Sequence, residues 1–92
     1  VVTPNGNSLL LTDDEGAIVV TDENGNTATF NADGITMESA KDIILKASGD
    51  VKIEGTNVEI AASANFLAEG SAGTEVSSPA TTTVKGSLVQ IN

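Results

Sequence analysis

Ile43-Ile44-Leu45-Lys46-Ala47-Ser48-Gly49-Asp50-Val51-Lys52-Ile53-Glu54-Gly55-Thr56-Asn57-Val58-Glu59-Ile60 is the stretch on which the fold turns. Three apolar pairs stand in it, Ile43/Leu45, Val51/Ile53 and Val58/Ile60, each split by one position and starting 8 and then 7 residues apart. Side chains that alternate faces at every residue are the mark of a strand. Ser48-Gly49-Asp50 and Gly55-Thr56-Asn57 fall between the pairs. Gly, Asn and Asp accept the backbone angles that sharp corners demand. The unit is therefore one short strand and one corner.

Outward from this stretch the same unit recurs. Towards the C-terminus the pairs are Phe66/Ala68, Thr74/Val76, Thr82/Val84 and Val89/Ile91. Towards the N-terminus they are Ile35/Met37, Ala28/Phe30, Ile18/Val20 and Leu9/Leu11. Read from the N-terminus, the first members step by 9, 10, 7, 8, 8, 7, 8, 8, 8 and 7 residues, nearly constant from Ile35 onward. Further turn formers separate them: Asn5-Gly6, Glu15-Gly16, Asn24-Gly25, Asp33-Gly34, Gly70-Ser71-Ala72-Gly73, Ser78-Pro79 and Gly86-Ser87. Asp33 to Lys46 holds the most helix-like run, but the repeat passes straight through it and predicts strand.

An eight-residue unit covers one face and encloses nothing alone. Three faces close a triangular prism. They come either from three consecutive units of one chain, about 24 residues per coil, or from three chains that each supply one face per layer; periodicity does not separate the two. Size favours three chains, because a single 92-residue chain makes fewer than four coils with two open ends. The expected fold is all-β: an intertwined trimeric β-helix, or triangular β-prism, of 7–10-residue repeats with one strand per repeat. Eleven layers at the usual strand spacing give a rod about 50 Å long. Asn24-Gly25 and Asp33-Gly34 are also hairpin signals, so residues 8–38 have a second reading as an antiparallel meander, with residues 1–34 a less regular lead-in. Residues 1–92 form a single needle segment, and the start at Val1-Val2-Thr3-Pro4 without Met leads us to expect a fragment of a longer spike protein.

The expected core residues are Leu9, Leu11, Ile18, Val20, Phe30, Ile35, Met37, Ile43, Leu45, Val51, Ile53, Val58, Ile60, Phe66, Val76 and Val84. Met37 fills a gap among them, and Thr74 and Thr82 satisfy backbone or water, with a hydrogen bond across the axis or a held water or ion as the other reading. With two Phe and no Trp or Tyr, the core is aliphatic, which suits a narrow repetitive interior.

Charge narrows the function. Thirteen acids against four lysines give −9 per chain, and three times that, −27, per trimer. Such a surface repels phosphates, which excludes nucleic acid as a partner, and it favours solubility. No run of 18 apolar residues exists to span a bilayer as a helix. Residues 76–92 carry Lys85 as their one charged side chain amid Ser, Thr and Ala, so a slim, nearly uncharged tip is expected, cheap to desolvate at a membrane.

Candidate chemical sites are weak. Asp13-Asp14-Glu15-Gly16 and Asp22-Glu23-Asn24-Gly25-Asn26 resemble calcium loops, but the twelfth position from Asp22 is Asp33, not Glu, and no helices flank the loop. They are read as corners. No two carboxylates stand out as a glycosidase pair, and a rod offers no cleft. The expectation is no catalytic residue, no metal and no cofactor.

The runs Gly6-Asn7-Ser8-Leu9-Leu10-Leu11-Thr12-Asp13, Gly16-Ala17-Ile18-Val19-Val20-Thr21 and Asn24-Gly25-Asn26, and above all Lys41-Asp42-Ile43-Ile44-Leu45-Lys46-Ala47-Ser48-Gly49-Asp50-Val51-Lys52-Ile53-Glu54-Gly55, resemble the C-terminal spike of VgrG proteins. VgrG is the central spike of the type VI secretion system and is similar to contractile-phage baseplate spikes. The resemblance covers nearly the whole chain. It implies a parallel, intertwined homotrimer that follows an oligonucleotide/oligosaccharide-binding-fold region, absent here. It implies mounting on the tail tube and baseplate of a contractile machine through that missing N-terminal part, with transient contact with a target membrane. It implies a PAAR-repeat tip protein on the blunt C-terminal end, where Leu88, Val89, Gln90, Ile91 and Asn92 form the last strand. Assembly in the bacterial cytoplasm followed by secretion or delivery into a target cell, or residence in a phage tail, goes with it. In phage versions a His-rich tip binds iron; this chain has no His, and that chemistry is not carried over. Two other readings share the pattern: a trimeric tail-fibre or adhesin shaft, and a single-chain calcium-stabilised β-helix.

Overall fold

The computed structural model describes residues 1–92. It is all-β, with no helix. The chain divides into two units, Val1–Lys52 and Ile53–Asn92.

The first unit opens with a four-stranded antiparallel meander, in the order β1 (Ser8–Thr12), β2 (Ala17–Thr21), β3 (Thr27–Asn31), β4 (Gly34–Glu38). The second reading of residues 8–38 is thus the one adopted: the first four apolar pairs sit in hairpins and not in eight-residue layers. The physical reason lies in the connections. Asn31 pairs with Gly34, so Ala32-Asp33 forms a two-residue turn, one position before the Asp-Gly dipeptide that signals it. Gly34 has φ +119°, which L side chains rarely adopt, and the Asp33 amide donates to Asn31 Oδ1 at 2.9 Å. The outer edge of β1 is covered by the N-terminus: Val1 exchanges hydrogen bonds with Leu9, its amino group donating at 2.8 Å and its carbonyl accepting at 2.7 Å. The tail reaches it through a turn in which the Gly6 amide donates to the Thr3 carbonyl.

Register places the apolar pairs in two rungs across one face of the sheet. Leu9, Val20, Ala28 and Met37 face one another in successive strands, as do Leu11, Ile18, Phe30 and Ile35. Residues two apart share a face, so all eight lie on one side. Behind the rungs, Leu10–Val19–Thr29–Thr36 forms a row on the other face, apolar only at its β1–β2 end.

Beyond Glu38 no strand pairs within the chain, and the backbone–backbone hydrogen bonds outside the sheet all lie before Thr27. The local conformation is still regular. Bends fall at Ala40–Lys41, Ser48–Gly49, Thr56, Ser63–Ala64, Ser71–Ala72, Pro79–Ala80 and Ser87–Leu88, about every eight residues, with extended chain between them. Seven apolar pairs, from Ile43/Leu45 to Val89/Ile91, therefore follow the repeat, in place of the eleven expected.

Candidate trimerisation surface

Not one residue of the isolated chain is buried. Its accessible surface is 9042 Å². A compact monomer of 9.3 kDa exposes only about 5,000 Å². The excess, about 4,000 Å² per chain, is on the scale of an obligate interface. Backbone polarity adds to this. The extended segments leave their N–H and C=O groups without partners in the chain, and strands whose apolar side chains become buried between chains must pair those groups there.

The structure places the sixteen expected core residues in two groups. Leu9, Leu11, Ile18, Val20, Phe30, Ile35 and Met37 make the two rungs, with Ala28 completing the set. Even Phe30, in the middle of the sheet, stays 41% exposed. Ile43, Leu45, Val51, Ile53, Val58, Ile60, Phe66, Val76 and Val84 sit on the extended segments and are all at least half exposed. Leu88, Val89, Gln90, Ile91 and Asn92 are exposed at the C-terminal end. The two groups are not wholly separate. A shallow groove of about 390 Å³ runs along the first rung, lined by Val20, Ala28 and Met37, and continues to Ile43, the first residue of the regular repeat. A second, of about 340 Å³, follows Leu11, Ile18 and Phe30 of the other rung.

The turn between β2 and β3 holds the most polar cluster. Asp22 Oδ1 accepts the backbone amides of Asn24 and Asn26, both at 2.9 Å. Asp22 Oδ2 accepts the side-chain amides of the same residues at 3.3 and 2.8 Å. Asn7 clasps Glu23, accepting its backbone amide on Oδ1 at 2.9 Å and donating from Nδ2 to its carboxylate at 3.3 Å. Asn26 Oδ1 accepts the amide of Ala40 at 3.0 Å, which ties the turn to the first bend of the repeat. The residues of the calcium-like loop therefore serve backbone and amide groups, and no cluster of three or more carboxylates is placed to hold a metal ion. The spacing Asp22-x-Asn24-x-Asn26 carried this turn in the sequence; the reach from Asn26 to Ala40 had no signal there.

The backbone amide of Asn26, followed by its side chain and then by Asn24, pulls the Asp22 carboxyl down from 3.8 to about 2. A depressed carboxylate stabilises the folded turn at pH above the unfolded value, and that contribution drains away as pH falls through the folded one. The turn is thus expected intact at pH 4 and released near pH 2. A carbon-detected NMR titration of the side-chain carboxyls checks this: a midpoint near 2 for Asp22, with the Asn24 and Asn26 amides shifting in step, is the expected result. A midpoint near 4 contradicts the geometry.

An all-β chain with no buried residue, a one-sided apolar sheet and an eight-residue bend repeat has no core of its own. Residues 1–65 match the family described as the phage baseplate V C-terminal trimerisation domain. The chain belongs to that family. Among curated proteins, none matches it. A phage baseplate V C-terminal trimerisation domain works as a homotrimer and as a structural part, and its fold is of the β-prism type. The matched span takes in the whole meander and the first bends of the repeat. Exposure that is unexplained in one chain is what a trimerisation domain requires.

Proposed function

We propose that this domain is the envelope-piercing spike of a contractile injection machine, of the type VI secretion or phage kind, and that its C-terminal end carries a PAAR-type tip protein. The observation that carries the reading is the surface of the single chain: seven apolar pairs on an eight-residue bend repeat, with neither side chains nor backbone satisfied inside the chain. Three parallel chains satisfy both at once. Each pair turns to the common axis, and each extended segment hydrogen-bonds to its neighbours above and below. A sheet closed around an axis has no lateral edge. Every layer is then tied to the next, which is what resistance to compression and bending needs. Wound chains also leave one another only by unthreading, so resistance to unfolding is kinetic as well as thermodynamic.

The three meander faces close the N-terminal end in the same way, their rungs meeting on the axis. At the other end Leu88, Val89, Gln90, Ile91 and Asn92 present apolar side chains and open strand edges in three copies, a platform for added strands. The scarcity of charge after Val76 suits a tip that crosses a membrane.

Removing Ser87–Asn92 is the direct test. The trimer is expected to keep its mass class and to lose binding of a PAAR-repeat protein, read by native mass spectrometry as loss of the species with one tip protein per trimer. Binding that survives the truncation, or that the full-length trimer never shows, overturns the tip assignment.

A further inference from the structure

The repeat that builds the trimer creates a difficulty for it. From Ile43 to Ile91 the apolar pairs recur every 7 or 8 residues with similar side chains. A chain that slides by one repeat against its two partners still sets apolar pairs against apolar pairs. It loses layers only at the ends. Repetition of this kind specifies register weakly, as in flat or two-sided strands. Something outside the repeat has to specify it.

The meander is the aperiodic part of the chain. Its two rungs each cross all four strands, Leu9–Val20–Ala28–Met37 and Leu11–Ile18–Phe30–Ile35, and their members differ in bulk from strand to strand, Ala28 standing beside Met37 and Phe30 beside Ile18. A chain displaced by one repeat takes its rungs out of level with those of its partners. The meander can act on the repeat only if the phase between sheet and first bend is rigid. The turn Asp22–Asn26 supplies that. Asp22 holds the Asn26 side chain through its Nδ2, and the free Oδ1 of the same amide accepts the Ala40 amide at 3.0 Å. A Cβ built on Gly25 lies 3.5 Å from the Ala40 Cβ, so turn and bend are also in close approach. Ser39 Oγ closes the bend by accepting the Lys41 amide at 3.1 Å.

We propose that the meander sets the register of the three wound chains and that the Asp22–Asn26–Ala40 contact transmits it to the repeat. The inference rests on the homotrimer. Each chain folds its own sheet locally, and three sheets then align on one another. The first bend leaves each sheet at a fixed point, and winding proceeds towards the C-terminus from a common level. Asp22, Asn26 and Ala40 are positioning residues in this scheme; they work through the register of chains they do not touch.

Trypsin reads the register. Residues 85–92 make the last repeat and begin with Lys85, so a chain displaced by one repeat projects that segment beyond its partners. Asn26→Leu removes the amide that bridges Asp22 and Ala40. Purified Asn26→Leu trimer is expected to release residues 86–92 in a fast phase that the native trimer lacks, at unchanged trimer mass. The chain has no Cys, and 3.5 Å from a Cβ built on Gly25 to that of Ala40 suits a disulfide; Gly25 has φ +91°, which strains any side chain placed there, so the oxidised variant is compared only with its own reduced form. Asn26→Leu with Gly25→Cys and Ala40→Cys, refolded oxidised, is expected to lose the fast phase; refolded reduced, to regain it. Identical digestion of native and Asn26→Leu trimers overturns the proposal. If Asn26→Leu alone yields no trimer, the oxidised and reduced triple variant decides: trimer restored in one register only when oxidised supports the latch, and equal behaviour of the two overturns it. Failure of the native chain to reach a trimeric mass would instead remove the assembly on which the inference rests.

Discussion

Val51→Asp leaves a monomer. On this account Val51 and its two symmetry mates meet at the second of the seven layers of the repeat. The substitution removes an apolar side chain worth about 1.5–3 kcal/mol in each chain. It then places three carboxylates in a space with no water and no counter-charge, at a cost of several kcal/mol per ion. The carboxylates can escape part of this by protonation, but not at neutral pH without a comparable penalty. Summed over three chains, the loss exceeds the margin by which proteins are stable. Light scattering is expected to read 9.3 kDa for Val51→Asp. Lys52→Asp, one residue on and on the opposite face, is expected to stay trimeric. A trimeric Val51→Asp would show that the pairs do not face the axis.

Phe30→Ala is the second large effect. Phe30 sits in the second rung, between Ile18 on β2 and Ile35 on β4. In one chain it is 41% exposed, and truncation there would be mild. On this account the three sheets pack face to face and bury it, and Phe→Ala in a core costs about 3–5 kcal/mol, incurred three times per trimer. Thr29→Ala changes the neighbouring residue on the back of the same strand and is expected to cost far less. Denaturant unfolding followed by circular dichroism compares the two, at equal protein concentration because trimer stability depends on it. If Thr29→Ala costs as much as Phe30→Ala, the wrong face of the meander has been assigned to the interior.

The repeat was legible in the sequence because in/out alternation and corner chemistry coincide in it. Ser48-Gly49, Thr56, Ser71-Ala72, Pro79 and Ser87 are bends where Gly, Pro, Asn or Asp had pointed to corners. Ala40–Lys41 and Ser63–Ala64 bend with only Asp42 and Asn65 beside them, and the regular count of eight located them. The meander was harder to separate from the repeat. Leu9/Leu11 to Ile35/Met37 alternate in the same way whether each strand bonds to its own chain or to another. Side-chain pattern reports the face a residue takes and not the partner of its backbone. The uneven steps of 9, 10 and 7 over this part were the available sign, together with Asn24-Gly25 and Asp33-Gly34. The contact from Asn26 to Ala40 lies outside both signals, because nothing in local chemistry says which distant amide an asparagine will meet. The choice between three chains and one coiled chain was likewise open to periodicity. It is the absence of any buried residue that weighs for association.

These features share one physical origin. A chain with few aromatics and little bulk cannot enclose a core of its own at this length. Distributing the core over three copies gives each small residue a set of neighbours, and it turns a weak eight-residue unit into a continuous ladder. High negative charge remains outside, where it keeps the assembled trimer soluble. The same arrangement explains why Val, Ile, Leu and Ala suffice where a monomer of this size would need larger side chains.

Native mass in solution tests the central claim most directly. Light scattering on a size-exclusion column, with the purified chain at neutral pH, is expected to give about 28 kDa, three times 9.3 kDa. A mass of 9.3 kDa with strand-type circular dichroism would contradict the account, because a chain folded alone would have to bury the two rungs and the seven pairs within itself.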